Sequence, residues 1–188
     1  MDQKQILHDY LRQRRGELLA KLDGLSDYDA RRPLTPTGTN LAGLVKHVAS
    51  VQLGYFGVVF DRPSAPLPWE APGSLEDDDM WLQEGESVAD VVAFHHRSAE
   101  HADATIESLE LESPGLVPWW PDDRRRVTLG RILVHNVAEV ARHAGHADIL
   151  RESLDGAIGN GSSDPNIPGR TTDEWATFSA RIEAAAWG

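Results

Sequence analysis

The segment Leu133-Val-His-Asn-Val-Ala-Glu-Val-Ala-Arg-His-Ala-Gly-His146 sets a carboxylate and several imidazoles at helical spacing. At about 100° per residue, Asn136, Glu139, His143 and His146 fall within an arc of roughly 80° on one helix face. Leu129, Leu133, Val137, Val140, Ala144 and Ala147 occupy the adjoining arc. The polar cluster thus borders an apolar face and is expected to be partly or wholly buried. Buried carboxylates and imidazoles are costly unless they find partners, and a metal ion is an efficient partner for all of them. Glu139 and His143 stand at i, i+4, one turn apart, which suits two ligands of one ion. The same spacing also serves an ordinary surface ion pair, so it does not specify a metal alone.

Two ligands rarely suffice, and a third should come from a facing helix. His47 is the candidate, because it interrupts the most apolar helix in the chain. Two nitrogens and one oxygen suit Zn²⁺ first and Ni²⁺ second, with Mn²⁺ and Fe²⁺ less favoured. Three protein ligands leave positions open for water or substrate, as in catalytic sites. His146 reads as a group behind the ligands that orients one of them or moves a proton, ahead of a fourth ligand or a plain polar neighbour. Asn136 reads as a hydrogen-bonding core residue that can reach a substrate, and His135 as a rim residue. Arg142 projects toward the rim, to meet an anionic substrate or only solvent. On the third long helix, His95 lies on the apolar stripe between Val92 and Ala99 and is a candidate to line the site. His96, Glu100, Asp103 and Glu107 read as a solvated stripe, and His8 and His101 as surface residues.

These side chains need a scaffold. Leu7, Leu11, Leu18, Leu22 and Leu25 give a first helix over about 2–23, with Gly24 as its stop. A second helix spans about 40–60 and is apolar almost all round. Asn40, Gly43, His47, Ser50, Gly54 and Gly57 share one of its faces, small apart from His47. That face serves either close helix packing or room for a ligand against Ser50 and Gly54. Residues 61–86, rich in Pro, Gly and acid and including Asp77-Asp78-Asp79, form a long crossover. A third helix opens at the capping box Ser87-x-x-Asp90 and runs to about Leu111. A loop with Trp119-Trp120-Pro121 follows. The fourth helix spans about 128–154, ended by Asp155-Gly156. A polar tail leads to a short fifth helix at the Thr171-x-x-Glu174 capping box. Its Trp175, Phe178, Ile182 and Trp187 are expected to pack across the bundle or against a second copy in a homodimer. No strand pattern of any length is visible. The expectation is a single all-α domain over 1–188: a four-helix bundle with metal ligands on facing helices. Trp69, Trp81, Trp119 and Trp120 are expected to anchor loops or to roof the site.

Bulk properties narrow the partners. The net charge of −12 argues against a nucleic-acid backbone or an anionic membrane as partner. No apolar run is expected to cross a bilayer. The one dense basic run, Arg124-Arg125-Arg126, leaves room for a local anionic small-molecule pocket. There is no cysteine, so the chain has no thiolate ligand or nucleophile of its own. A cytoplasmic location is the default.

Two segments carry a family resemblance. Leu34-Thr-Pro-Thr-Gly-Thr-Asn-Leu-Ala-Gly-Leu-Val-Lys-His-Val-Ala-Ser-Val-Gln-Leu-Gly-Tyr-Phe56 resembles the second-helix signature of the DinB-like metalloprotein superfamily, in its actinobacterial branch with mycothiol S-transferases. Glu139-Val-Ala-Arg-His-Ala-Gly-His-Ala-Asp-Ile-Leu-Arg-Glu-Ser-Leu-Asp-Gly156 resembles that branch's fourth-helix signature. The resemblance implies a DinB-type bundle with a metal held by His47, Glu139 and His143. Many members have His at both fourth-helix positions. Glu139 gives the ligand set of mycothiol-dependent maleylpyruvate isomerase, which the chain is similar to in that set alone. His146 stands where Gln is frequent after the His-x-Gly sequence.

The resemblance implies a metal-dependent transferase that joins a low-molecular-weight thiol such as mycothiol to an electrophilic small molecule. Two rivals stand beside it: a hydrolase or isomerase using metal-bound water, and a non-catalytic metal-binding stress protein.

Overall fold

The computed structural model describes residues 2–71, 73–75, 77–160 and 164–187. Four long helices form the bundle: α1 (Gln3–Leu19), α3 (Leu41–Phe56), α4 (Val88–Ser108) and α5 (Leu129–Asp155). The chief packing pairs are α3 with α4, α1 with α5, and α3 with α5. Their interior is one apolar cluster that includes Leu11, Leu18, Leu44, Val48, Phe56, Ile106, Ile132, Leu133 and Val140. The all-α expectation therefore holds.

The helix ends follow local chemistry. Asn40 caps α3 by accepting from the Gly43 N–H at 2.7 Å. Ser87 and Asp90 complete the expected capping box of α4. Thr128 caps α5, and Gly156 closes it in a left-handed conformation at φ 78°. The first helix stops at Leu19 and tightens into a 3₁₀ turn over Ala20–Leu22, and α3 likewise passes into a 3₁₀ turn over Val58–Phe60.

Two small elements depart from the sequence expectation. A five-residue helix, α2 (Asp27–Arg31), follows α1, and strands β1 (Pro114–Leu116) and β2 (Arg126–Thr128) form an antiparallel hairpin between α4 and α5. Three-residue strands are too short for alternation to reveal. The hairpin holds the Trp119-Trp120 loop above the end of α3 that carries Tyr55.

Leu41–Phe60 is long and apolar enough by composition to cross a bilayer, against the expectation that no run would be. It is a core helix of the bundle and is mostly buried inside the protein. The last helix, α6 (Thr172–Ala186), corrects a second expectation. None of its residues is buried, and it does not pack across the bundle. The Arg170 guanidinium lies over the rings of Trp175 and Phe178, at 4.5 and 4.4 Å from their centroids.

The loop between α3 and α4 is pinned at two points. Lys46 has no exposed surface, and its Nζ donates to Asp78 O at 3.0 Å, Trp81 O at 2.9 Å and Glu86 Oε2 at 2.8 Å. Three acceptors thus meet the three N–H donors of the ammonium. The Trp69 ring covers the same cation, 4.1 Å from its centroid. At the helix start, Gly43 lets the chain pass close, since a Cβ there would lie 1.8 Å from Met80 O.

A polar cluster crosses the interior between α1, α3 and α4. Arg15, 3% exposed, donates to Gln52 Oε1 and to Asp103 Oδ1, the latter at 2.5 Å. Asp103 also bonds the His8 ring at 2.8 Å and Arg12 at 3.0 Å. Asp103 is therefore not a solvated residue, and His8, 4% exposed, is not a surface one. Helical periodicity misplaces both because their partners lie on another helix. Beside this cluster, His95 is 2% exposed, and neither ring nitrogen has a hydrogen-bond partner. Burial, with help from Arg15 and His96, lowers its pKa from 6.5 to about 4.

His95 is thus neutral in the fold and charged in the unfolded chain once the pH drops below about 6.5. The unfolded state then binds the extra proton, so stability falls as the pH drops from about 6.5 to about 4. The loss from this one group should approach about 3 kcal/mol by pH 4. Chemical denaturation at stepped pH should show a His95→Phe variant losing less stability than the parent across that window. Parallel losses would contradict the assignment.

Candidate metal centre and its cavity

Helix α3 presents His47 and helix α5 presents Glu139 and His143. One donor atom from each of the three lies within 4.8 Å of the others. Among the described residues, this is the one group of three such side chains gathered so closely. Glu139 Oε1 is 2.9 Å from His143 Nε2 and 3.7 Å from His47 Nε2. The two rings meet edge to face, with centroids 4.9 Å apart. Ligand atoms about 2.1 Å from one tetrahedral ion lie about 3.4 Å from each other, and the two measured separations bracket that value. Two imidazole nitrogens and a carboxylate oxygen also fit a divalent transition ion chemically. All three side chains are half-buried, which keeps them positioned yet reachable.

The other nitrogen of His47 is held as well. His47 Nδ1 lies 2.7 Å from Asp79 Oδ2. A carboxylate behind an imidazole fixes the ring orientation and makes the outward nitrogen more basic. Asp79 belongs to the acidic run of the crossover loop, and its neighbours Asp78 and Trp81 are the residues whose carbonyls hold Lys46. The loop anchor and the His47 support are therefore one construction. In the sequence, Asp77-Asp78-Asp79 gives no sign of which acid turns inward.

The titration behaviour follows from these contacts. Burial pushes the His47 ring down, but Asp79 and Glu139 outweigh it and hold its pKa above the usual value. His143 is held below the usual value, by burial first and then by the neighbouring His47 and His146 rings, against the pull of Glu139. Burial pushes Glu139 up, yet His143, His47 and His135 together bring it below the ordinary carboxylate range. Ionised Glu139 and neutral His143 suit a metal ion as they stand, whereas His47 would give up its proton when the ion binds.

The centre opens into a cavity of about 710 Å³. Its α3 wall carries Ser50, Val51, Gly54 and Tyr55, and loop residues Trp69, Leu75 and Trp119 face them. Ser50 and Gly54 thus stand where the small-faced helix left room. A Cβ on Gly54 would meet Trp119 at 3.3 Å, so glycine lets that ring settle onto the helix. Trp69 Nε1 donates to Ser50 Oγ at 3.1 Å. Tyr55 Oη accepts from Trp120 Nε1 at 3.0 Å and Trp119 Nε1 at 3.5 Å. Trp69 and Trp119 therefore both anchor their loops and wall the cavity, whereas Trp120 bonds Tyr55 from outside the lining and Trp81 does not line it.

Other expected residues lie elsewhere. His95 does not line the cavity; it sits in the core beside Arg15. Asn136 is fully buried and donates to Ile132 O at 3.0 Å within its own helix. Arg142 and His146 are exposed and outside the cavity lining. The His146 ring is 5.6 Å from that of His143. His135, read as a rim residue, lines the cavity and stacks edge to face on Tyr55 with centroids 4.7 Å apart.

Asp79→Asn should keep the fold and weaken divalent-metal binding by roughly tenfold to a hundredfold. A competition titration against a coloured chelator would measure it. Unchanged affinity would mean that the Asp79–His47 contact does not tune the centre.

A family model described as mycothiol S-transferase matches residues 6–156. The matched stretch takes in the bundle from within the first turn of α1 and stops at the glycine that closes α5, leaving the tail and α6 outside. No curated protein matches the chain.

Proposed function

The chain belongs to the mycothiol S-transferase family, and from that premise we propose that it joins mycothiol, or a close low-molecular-weight thiol, to an electrophilic small molecule. The observation that carries this reading is the convergence of His47, Glu139 and His143, with His47 and Glu139 lining an open cavity large enough for two small substrates. The absence of cysteine points the same way, since sulfur chemistry must then come from a cosubstrate.

His47, Glu139 and His143 would hold one divalent ion, with Zn²⁺ preferred and Ni²⁺ next. Such an ion lowers the pKa of a coordinated thiol, so that the thiolate is available at neutral pH. Asp79 keeps His47 aimed and basic. Tyr55 Oη accepts from two indoles and still has its own proton free to donate to a ligand in the cavity. Trp69 and Trp119 shield the site from bulk water, and Ser50 offers a hydroxyl on the cavity wall. In this reading the exposed His146, beside His143, exchanges the released proton with solvent. A cytoplasmic location suits the proposal, because thiols are kept reduced there.

Metal-loaded protein should conjugate mycothiol to monochlorobimane, read as fluorescence increase. His143→Ala should lower kcat/KM by roughly a hundredfold or more, since loss of a ligand exceeds the effect of losing its support. Equal rates for parent and variant would sink the transferase reading. Turnover of an ester or a maleyl isomer without thiol would favour metal-bound water instead.

A further inference from the structure

Against the net charge of −12, one corner beside the metal cavity is basic. A second cavity of about 480 Å³ is lined by Trp120, Pro121, Arg124, Arg131, Val134 and His135. His135 lines both cavities, so the two adjoin at that ring. The partition between them is aromatic: His135 stacks edge to face on Tyr55 at 4.7 Å and on Trp120 at 5.2 Å between centroids.

The two arginines have donors to spare. The Arg131 guanidinium lies over the Trp120 ring, 5.1 Å from its centroid, and one nitrogen reaches Arg124 O at 3.5 Å. Neither Arg124 nor Arg131 pairs with a carboxylate among the described residues. Asp122, the neighbouring acid in the loop, is taken by Arg125 at 3.1 Å. Asp123 is not part of the lining. Arg131 and His135 are one helical turn apart on α5, so they share a face. Two unpaired guanidiniums beside a flat aromatic wall suit an organic anion whose carboxylate is carried on a planar, conjugated skeleton.

We propose that Arg124 and Arg131 form an anion subsite that holds the carboxylate of the electrophile while its reactive end passes His135 into the metal cavity. This rests on the transferase reading for the word electrophile, but the subsite itself is tested without thiol or turnover. The subsite explains why Arg124 stands in a basic run within an acidic protein. It also selects the charged member of any pair of otherwise similar electrophiles.

The test is equilibrium binding of 3,5-dinitrobenzoate against 3,5-dinitrobenzamide, with no thiol present, followed by quenching of tryptophan fluorescence at low salt. The parent protein should bind the carboxylate about tenfold or more tighter than the amide. The double variant Arg124→Gln, Arg131→Gln should bind both alike. Arg126→Gln, in the same basic run but outside the cavity, should keep the preference. The far-ultraviolet circular dichroism of each variant should match the parent, and the surface positions make this the expected result. Equal affinity for the two probes in the parent would overturn the subsite. So would a preference that survives in the double variant, or one lost equally in Arg126→Gln. Because no thiol is used, a failed conjugation assay would count against the transferase reading and leave this result standing.

Discussion

A lysine with no exposed surface in the middle of the most apolar helix is the constraint on which the site depends. Burying an ammonium costs several kcal/mol unless each of its donors is met. Lys46 is met by two carbonyls and one carboxylate from the crossover loop, and by the Trp69 ring. That requirement fixes a long connection that would otherwise be free to wander. Once residues 78–86 are held, Asp79 has one place to go, and it goes onto His47 Nδ1. The neighbouring positions Lys46 and His47 thus do paired jobs on one helix. The first holds the loop, and the loop then holds the second.

The electrostatics of the centre follow from this arrangement. Glu139 lies between two imidazoles, and each group shifts the others. Asp79 behind His47 adds negative charge on the far side of the ring. The outcome is a compact donor set of one anionic oxygen and two nitrogens, half-buried at the mouth of a cavity rather than sealed in the core. A closed structural site would be expected to enclose its ion fully, whereas this one faces a space walled by Tyr55, Trp69 and Trp119. The chain is acidic overall, yet on the far side of His135 it turns basic. Acid near the centre and base at the corner together give the elongated binding space a direction.

Much of this is legible in the sequence because helices repeat with one period. Glu139 and His143 at i, i+4 border the apolar arc of Val140 and Ala144, which places both on the inward side of the helix. A histidine in an apolar helix points to His47. The capping boxes at Ser87 and Thr171 mark two helix starts, and the small residues Ser50 and Gly54 mark the open face. What stays hidden depends on contacts far apart in the chain. Asp79 is one of three consecutive acids, and only the Lys46 anchor decides which one meets His47. Asp103 and His8 look solvated, because helical periodicity within α4 or α1 does not show that Asp103 meets His8 and Arg15 across the packed helices. His95 sits on the apolar stripe as expected, but that stripe faces the Arg15 cluster rather than the cavity. The β hairpin escapes notice for its length, and with it the route by which Trp119 reaches Gly54.

The central claim is that His47, Glu139 and His143 together hold one divalent ion. Elemental analysis of the purified full-length protein, after growth with added metal and exhaustive dialysis, tests it most directly. The parent should carry close to one transition-metal ion per chain, lost in His47→Ala and in His143→Ala while both remain helical. A parent protein free of metal, or a His47→Ala protein that keeps its full complement, would contradict it.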